Sequence, residues 1–528
     1  MTLTQVQKYL LSCLSGLLIS FSLPLSIGGH PLPWLGFLAW IALVPMLLAT
    51  QNESPKSTYR FSFITLFLSF SISLSWTYYA MHNFGGMSSL ASILTALLLS
   101  LLMAALLALA PFTAKYLQRK TGQEYIVLLP VCWVVFEFVR TFFPFGGFPW
   151  ADLSLSQSPF IHFIQFVDIT GVYGLLFFIV WINQILSEFI LHRFGMKQSF
   201  LKQKITLSIF FLVLVFGYGV YQVQTFASVT QGAPRLKVGL VQANIPQDKK
   251  WDEKFMVTNL FLHQEMSRQL FKANTDLVVW PEAAFPQMFP EAVSSFPPEV
   301  FGIPKTKDEA YLLFGALTTD DHQHLFNSAV LIDETGKKKA VYHKQHLVPF
   351  GEYIPLANVF PFLHKLSVPV GDFEEGSGRS VLPLSMGRFS VASLICFEGV
   401  FPQISRRQVD AGASLLVSLT NDAWYGPSSA PHQHLAHTVF RAVENKRSLV
   451  RAANTGFSAV VDPLGHILQK SPLFDQSLIV SDVSLIEAKT LYTKLGDWFP
   501  WSCVAYIAIA FLFSFIKRRG SGEKSVWV

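Results

Sequence analysis

The feature that most constrains this chain is the uneven placement of its long apolar runs. They fill residues 1–224 and 499–516 and are nearly absent from about 236–485. A helix needs about 20 residues to cross the hydrocarbon core of a bilayer. Runs near that length stand at about 7–27, 34–50, 61–80, 88–112, 123–140, 168–191, 205–224 and 499–516. The expected architecture is therefore a polytopic α-helical membrane protein of eight spans. Seven helices lie in 1–228, a soluble-type domain is inserted at 236–485, and a last helix with its tail occupies 496–528. Composition agrees, because 51% hydrophobic residues, 14% charged residues and a mean hydropathy of +0.40 exceed what a soluble globular chain carries. No Lys or Arg cluster precedes the first run and apolar character resumes after Pro33, so that run is read as a retained helix.

Basic residues collect in alternate connections: Lys56 and Arg60; Lys115, Arg119 and Lys120; Arg193, Lys197, Lys202 and Lys204; Lys517, Arg518 and Arg519. The connections "SIGGHPLP" and "MHNFGG" carry none. By the positive-inside rule the N-terminus is cytoplasmic and 236–485 extracytoplasmic. Glu137, Arg140, Asp152 and Asp168 fall in or near the fifth and sixth spans, where ionisable groups face a cavity or one another. A headgroup site and a structural ion pair both fit. The four cysteines, Cys13, Cys132, Cys396 and Cys503, have neither metal-ligand spacing nor a disulfide pattern.

Within 236–485, short β-rich runs such as "LKVGLVQANI", "YLLFGAL", "NSAVLID", "FSVASLIC" and "SLLVSLTND" alternate with helical stretches at 252–272, 402–410 and 431–447. This pattern predicts a layered α/β domain. Three strand ends carry reactive groups: Glu282 in "VVWPEAAFP", Lys344 in "VYHKQHLVPFGEYIP" and Cys396 in "SLICFEG". A cysteine closing an apolar strand is by itself a small core hydrophobe. Residues just past the carboxyl ends of strands line the crevice of such a sheet, and together the three make a nucleophilic set. The carboxylate serves as general base, while the ammonium lowers the thiol pKa and faces the developing oxyanion. The set requires no metal and no cofactor. His432, His434 and His437, at i, i+2 and i+5, fit zinc poorly and are read as surface or pocket-rim residues. Trp424 and Tyr425 fit packing and lipid contact equally.

In order and spacing, Glu282, Lys344 and Cys396 resemble the Glu-Lys-Cys triad of the nitrilase (carbon-nitrogen hydrolase) superfamily. "WPEAAFP", "KQHLVPFGEYIP", "CFEGVFP" and "TNDAWYGPSSAPHQH", with the multispan N-terminal region, resemble more narrowly the bacterial apolipoprotein N-acyltransferases. The resemblance implies an αββα nitrilase-like sandwich and the transfer of a phospholipid acyl chain to the α-amine of a diacylglyceryl-cysteine. It assigns Glu282 as base, Lys344 as oxyanion stabiliser and Cys396 as the nucleophile that becomes a thioester. Glu352 matches the additional essential glutamate, and Trp251, Asn327 and Glu398 match supporting positions around the pocket. Phe397 departs from the family's usual tyrosine, so any role for a hydroxyl there is absent. The expected partners are a membrane phospholipid as donor and a diacylated apolipoprotein as acceptor, with no nucleic acid, for a monomer in the bacterial inner membrane whose catalytic domain is periplasmic. The alternative is a membrane-anchored nitrilase-type amidase acting on a small C–N substrate. A transporter fits worst, since no symmetry between two halves is evident.

Overall fold

The computed structural model describes residues 3–28, 30–194, 201–303, 310–357, 359–360, 372–377, 384–387 and 389–520. Lys197 and the tail beyond residue 520 lie outside the described residues. The chain divides into two compact units, one of Met1–Ser75, Ile93–Gly219 and Asp497–Val528 and the other of Trp76–Ser92 and Val220–Gly496.

The first unit is helical. Thr4 caps Gln5–Ser22 through a capping box with Gln7, and that helix stops where Leu23 meets Pro24, as the residue before a proline disfavours helix. Ser54 caps Pro55–Ser73, which has its proline in the first turn. Five helical stretches are long and apolar enough to cross a bilayer: Pro33–Thr50, Ser89–Thr121, Val172–Arg193, Lys202–Phe226 and Trp498–Ile516. The pair Pro55–Ser73 and Trp76–Asn83 makes a sixth if it is one broken span. The other two expected spans are helices of weaker character. Gln5–Ser22 is diluted by Lys8 and its serines, and Tyr125–Val139 has only 15 residues.

Leu90, Leu94, Leu98 and Leu101 are exposed along one helix, and Leu512, Phe513, Phe515 and Ile516 along another. Apolar faces of this extent are unfavourable in water and ordinary in lipid. A few charged residues of the unit turn inward, Glu137, Arg140, Asp152 and Asp168 among them, while Lys56, Arg60, Arg119 and Lys120 stay exposed. Arg140 is fully buried, pairs with Glu137, donates to the carbonyls of Phe148 and Trp150, and lies 4.8 Å from the centre of the Phe70 ring. Tyr218 donates to Asp168, and Asp152 caps the backbone of Ser154. These contacts favour the structural ion pair over the headgroup site.

The second unit contains two sheets. The strands of the first are β1 (Arg235–Gln242), β2 (Leu277–Val279), β3 (Met288–Pro290), β4 (Tyr311–Thr319), β5 (Leu325–Asp333), β6 (Lys338–His343) and, late in the chain, β13 (Ser477–Ser484). Their order is β13-β1-β2-β4-β5-β6, with β3 pairing β4. The second sheet holds β7 (Leu384–Met386), β8 (Phe389–Ile395), β9 (Leu415–Thr420), β10 (Ser448–Ala453), β11 (Ala459–Val461) and β12 (Ile467–Lys470), in the order β12-β11-β10-β9-β8-β7. β1, β2 and β4 are parallel neighbours, as are β8, β9 and β10.

The period-2 pattern sets the layers. Leu236, Val238, Leu240, Leu277, Val279, Leu313, Ala329 and Leu331 meet Val391, Ile395, Leu415, Val417, Leu419 and Val450 between the sheets. The alternate residues Val278, Trp280, Leu312, Phe314, Val330 and Ile332 point outward and pack with Met266, Leu270 and Phe271 of the helix Glu253–Lys272. Gly239 lets that helix approach, since a Cβ there would lie 3.0 Å from Leu270. Helices Pro402–Asp410 and Ala430–Asn445 pack on the other sheet. The result is an αββα sandwich, and each fully buried Leu or Val contributes on the order of 1.5–3 kcal/mol to it.

Candidate active site

The reactive residues stand where strands stop. Cys396 follows β8 and opens a single 3-10 turn, Cys396–Val400, and its φ of +52° is a left-handed conformation uncommon outside glycine. Lys344 directly follows β6, and Glu282 lies three residues past β2. The Glu282 loop lies against Gly315 of β4, where a Cβ would come within 2.4 Å of the Ala283 nitrogen. Any larger residue at 315 would displace the carboxylate.

All three groups are buried. The Lys344 ammonium donates to Glu352 Oε1 at 2.8 Å and stands 3.7 Å from Glu282 Oε1. Asn327 Nδ2 donates to both carboxylates, 2.9 Å from each. Glu352 Oε2 accepts from the Val348 N–H at 2.8 Å, and Glu282 Oε2 from the Asn421 N–H at 3.0 Å. Burial works against the Lys344 charge, but Glu352, Glu282 and Cys396 outweigh it and hold the group above its ordinary value. It remains an ammonium. Burial pushes the Cys396 thiol up to about 12, with Glu282 and Asp422 adding to the rise and Lys344 and Thr420 opposing it. The expected lowering by the ammonium is thus present but outweighed, so the resting group is a thiol and needs a base.

Glu398 braces the cysteine turn from the other side. Its Oε2 accepts from the Ile395 N–H at 2.7 Å, and its Oε1 accepts from the Gln345 N–H at 2.6 Å and the Tyr342 hydroxyl at 2.9 Å. Phe397 packs edge-on against Phe401, with ring centres 5.0 Å apart, and beside His346. Trp251 is 37% exposed, with its ring 5.9 Å from the Lys250 ammonium. The structure thus gathers Glu282, Lys344, Glu352 and Asn327 around the Cys396 turn, with Trp251 beside the lysine that bonds the Glu282 carbonyl.

Four neighbours were not anticipated. Asn421 directly follows β9, so the strand-end rule that singles out Cys396 also points to it. Lys250 is buried and donates to the Glu282 carbonyl at 2.9 Å, and burial lowers it to about 8 despite Glu282 and Cys396. Asp422 and Arg451 form a fully buried ion pair at 2.8 Å beside His434. His434 is itself fully buried rather than a rim residue. Tyr425 is buried against Trp76, with rings 4.7 Å apart, which favours packing over lipid contact. Among the described residues, no group of three or more His, Cys, Asp or Glu side chains is arranged to hold a metal ion.

Comparison with known proteins matches residues 15–185 to the apolipoprotein N-acyltransferase N-terminal domain and residues 237–491 to the carbon-nitrogen hydrolase family. The apolipoprotein N-acyltransferase of Geobacter metallireducens is 37% identical over 520 residues, covering 97% of this chain and 96% of its own. That of Rickettsia prowazekii is 33% identical, covering 75% and 78%. That of Haemophilus influenzae is 29% identical, covering 97% and 96%. Among solved structures, Saccharomyces cerevisiae Nit3, a member of branch 10 of the nitrilase superfamily, aligns with a TM-score of 0.36 at 19% identity, covering 47% of this chain and 90% of its own. With both of its regions matched and near-full-length identity to a curated member, this chain belongs to the apolipoprotein N-acyltransferase family, acyltransferases built on a carbon-nitrogen hydrolase domain.

Proposed function

We propose that this protein transfers a fatty acyl chain from a membrane phospholipid to the α-amine of the N-terminal diacylglyceryl-cysteine of an apolipoprotein, through a thioester on Cys396. The observation that carries the reading is the buried Glu282–Lys344–Glu352 cluster beside a cysteine in a left-handed turn, in a chain of this family. Glu282 takes the thiol proton and the sulfur attacks the ester carbonyl. The oxyanion faces Lys344, and collapse expels the lysophospholipid, whose oxygen recovers the proton from Glu282. The acceptor α-amine then attacks the thioester, loses a proton to Glu282 and expels the thiolate, which recovers that proton and restores the free base. Glu352 and Asn327 hold Lys344 and Glu282 in register.

Drawing a ~16-carbon chain into water costs on the order of 12 kcal/mol at about 0.8 kcal/mol per CH₂, so the thiol has to meet its donor at a bilayer. The alternating basic connections support a catalytic domain, 236–485, on the periplasmic face of the inner membrane, set between helices in 1–228 and 496–528. The enzyme acts as a monomer and has no nucleic-acid partner.

Intact-mass analysis after incubation with phosphatidylethanolamine in mixed micelles tests the reading. One acyl mass should appear, with release of lysophospholipid. Neutral hydroxylamine or a diacylated lipopeptide with a free α-amine should remove it, and Cys396→Ala should abolish it. An adduct that survives in Cys396→Ala, or transfer without any adduct, overturns the proposal. A membrane-anchored amidase would acquire no acyl mass from phospholipid.

A further inference from the structure

We infer that His434 is a positioning residue for the nucleophile, holding the Cys396 carbonyl and, through Arg451 and Asp422, linking the cysteine turn to the residue that fixes Glu282. His434 Nε2 lies 3.0 Å from the Cys396 carbonyl oxygen, which can only accept. Nε2 therefore carries a hydrogen. On the other side of the ring, Nδ1 lies 3.0 Å from Arg451 Nη2 and 3.0 Å from Asp422 Oδ1. Arg451 Nη2 donates to both oxygens of Asp422, at 3.0 and 2.8 Å, and Thr420 Oγ1 donates to Oδ1 at 2.9 Å. With its hydrogen on Nε2, the ring can only accept at Nδ1, so Arg451 Nη2 shares its two hydrogens between Nδ1 and the Asp422 carboxylate and joins the two, while Thr420 gives Asp422 a second donor.

The next residue back, Asn421, gives its N–H to Glu282 Oε2. One buried chain of contacts therefore runs from the carbonyl of the nucleophile to the carboxylate of the base. Two further facts give the chain a task. A left-handed cysteine does not hold itself, since the conformation costs of order 1–3 kcal/mol and persists only where surroundings impose it. Glu398 secures the backbone on the N-terminal side through the Ile395 N–H, whereas His434 secures the carbonyl of Cys396 itself.

The inference rests on Cys396 being the nucleophile, and a pair of variants separates the two claims. Glutamine places its amide nitrogen about as far from Cβ as imidazole Nε2, while asparagine reaches only to the level of Nδ1. In the full-length enzyme, single-turnover thioester formation should fall about 30-fold or more in His434→Asn and stay within about fivefold of wild type in His434→Gln, with KM for phosphatidylethanolamine unchanged in both. Equal rates in the two variants, a rise in KM in place of a fall in rate, or a His434→Gln protein that does not fold would each overturn the positioning role. The last result would mark the residue as core packing alone. An adduct on Cys396→Ala would instead overturn the nucleophile assignment, whatever the histidine variants do.

Discussion

The two units of this chain dispose of their polar and apolar atoms in opposite ways. In the helical unit, leucines such as Leu94, Leu98 and Leu101 face outward and Arg140 is buried in a local knot with Glu137. In the sandwich unit leucines such as Leu240, Leu313, Leu415 and Leu419 are packed between the sheets, yet Lys344, Glu398, Asp422, Arg441, Arg447 and Arg451 are buried as well. A buried charge is tolerated where hydrogen bonds replace its water. The helical unit uses that tolerance to tie a few backbone carbonyls. The sandwich spends it on strand ends, where donors and carboxylates sit fixed before any substrate arrives, which is the condition for electrostatic catalysis.

The sharpest way to break this contrast is to remove charge from the sandwich without changing its shape. Glu282→Gln should leave the protein folded and slow thioester formation by about 10³-fold, near 4 kcal/mol of barrier, and Lys344→Met should do the same. Mass-resolved single-turnover kinetics would measure both. A loss under tenfold in either would place the cluster with Arg140 and Glu137, as a structural knot.

How much of this was legible in the sequence follows from range. Cys396, Lys344 and Glu282 could be read because each closes an apolar run, a local signal, and the helices at 402–410 and 431–447 announce themselves by period. Four strands escaped that reading: β3, β7, β12 and β13. β12 is exposed throughout, β3 and β7 have only three residues each, too few for a period to show, and β13 mixes apolar with polar residues so that no clean alternation forms. His434 was misplaced because "HQH" looks like a polar patch at helical spacing. Its burial depends on Asp422 and Arg451, whose partnership spans 29 residues. The Asn421 contact to Glu282 spans 139. No periodicity encodes contacts of that kind. The count of spans had a different limit, because hydropathy marks Gln5–Ser22 and Tyr125–Val139 as apolar without saying where proline and serine shorten or dilute them.

A second test uses a buried group that is neutral. His263 is almost wholly enclosed, its Nδ1 bonded to the Asn259 carbonyl at 2.8 Å and its ring 4.8 Å from that of Trp280. Burial lowers it to about 4. Between that value and the ordinary 6.5 the unfolded chain binds the extra proton, so stability rises with pH across this window and is lost as pH falls through it. The loss approaches about 3 kcal/mol by pH 4 at 1.36 kcal/mol per unit. His346 and His432, also lowered to about 4 by burial, act in the same direction. Thermal unfolding in detergent between pH 7 and 4 should show the sandwich weakening, and His263→Gln, which keeps a donor for Asn259, should flatten the slope. An unchanged slope would mean that the helix opens to admit water there.

The smallest effect is the one that defines the helical unit. Leu98 is 63% exposed on Ser89–Leu107, whereas Leu313 is fully enclosed between the sheets. Truncating Leu313 to alanine opens a cavity and should cost about 2–5 kcal/mol. Leu98→Ala removes a similar volume from a side chain that touches lipid or detergent in the folded protein and in the inserted, unpacked helix alike. Little differential burial is lost. The expected change in unfolding free energy is under about 0.5 kcal/mol, with acyl transfer unaffected, the range of surface substitutions generally. The outcome separates two explanations of the exposed leucine face. If lipid covers it, Leu98→Ala is silent in micelles and bilayers alike. If a second copy or another protein covers it, the alanine leaves an unfilled hole, and a loss of several kcal/mol would appear together with a change in oligomeric state by size-exclusion light scattering. That result would end the comparison, because the helical unit would then be burying its leucines in protein just as the sandwich does.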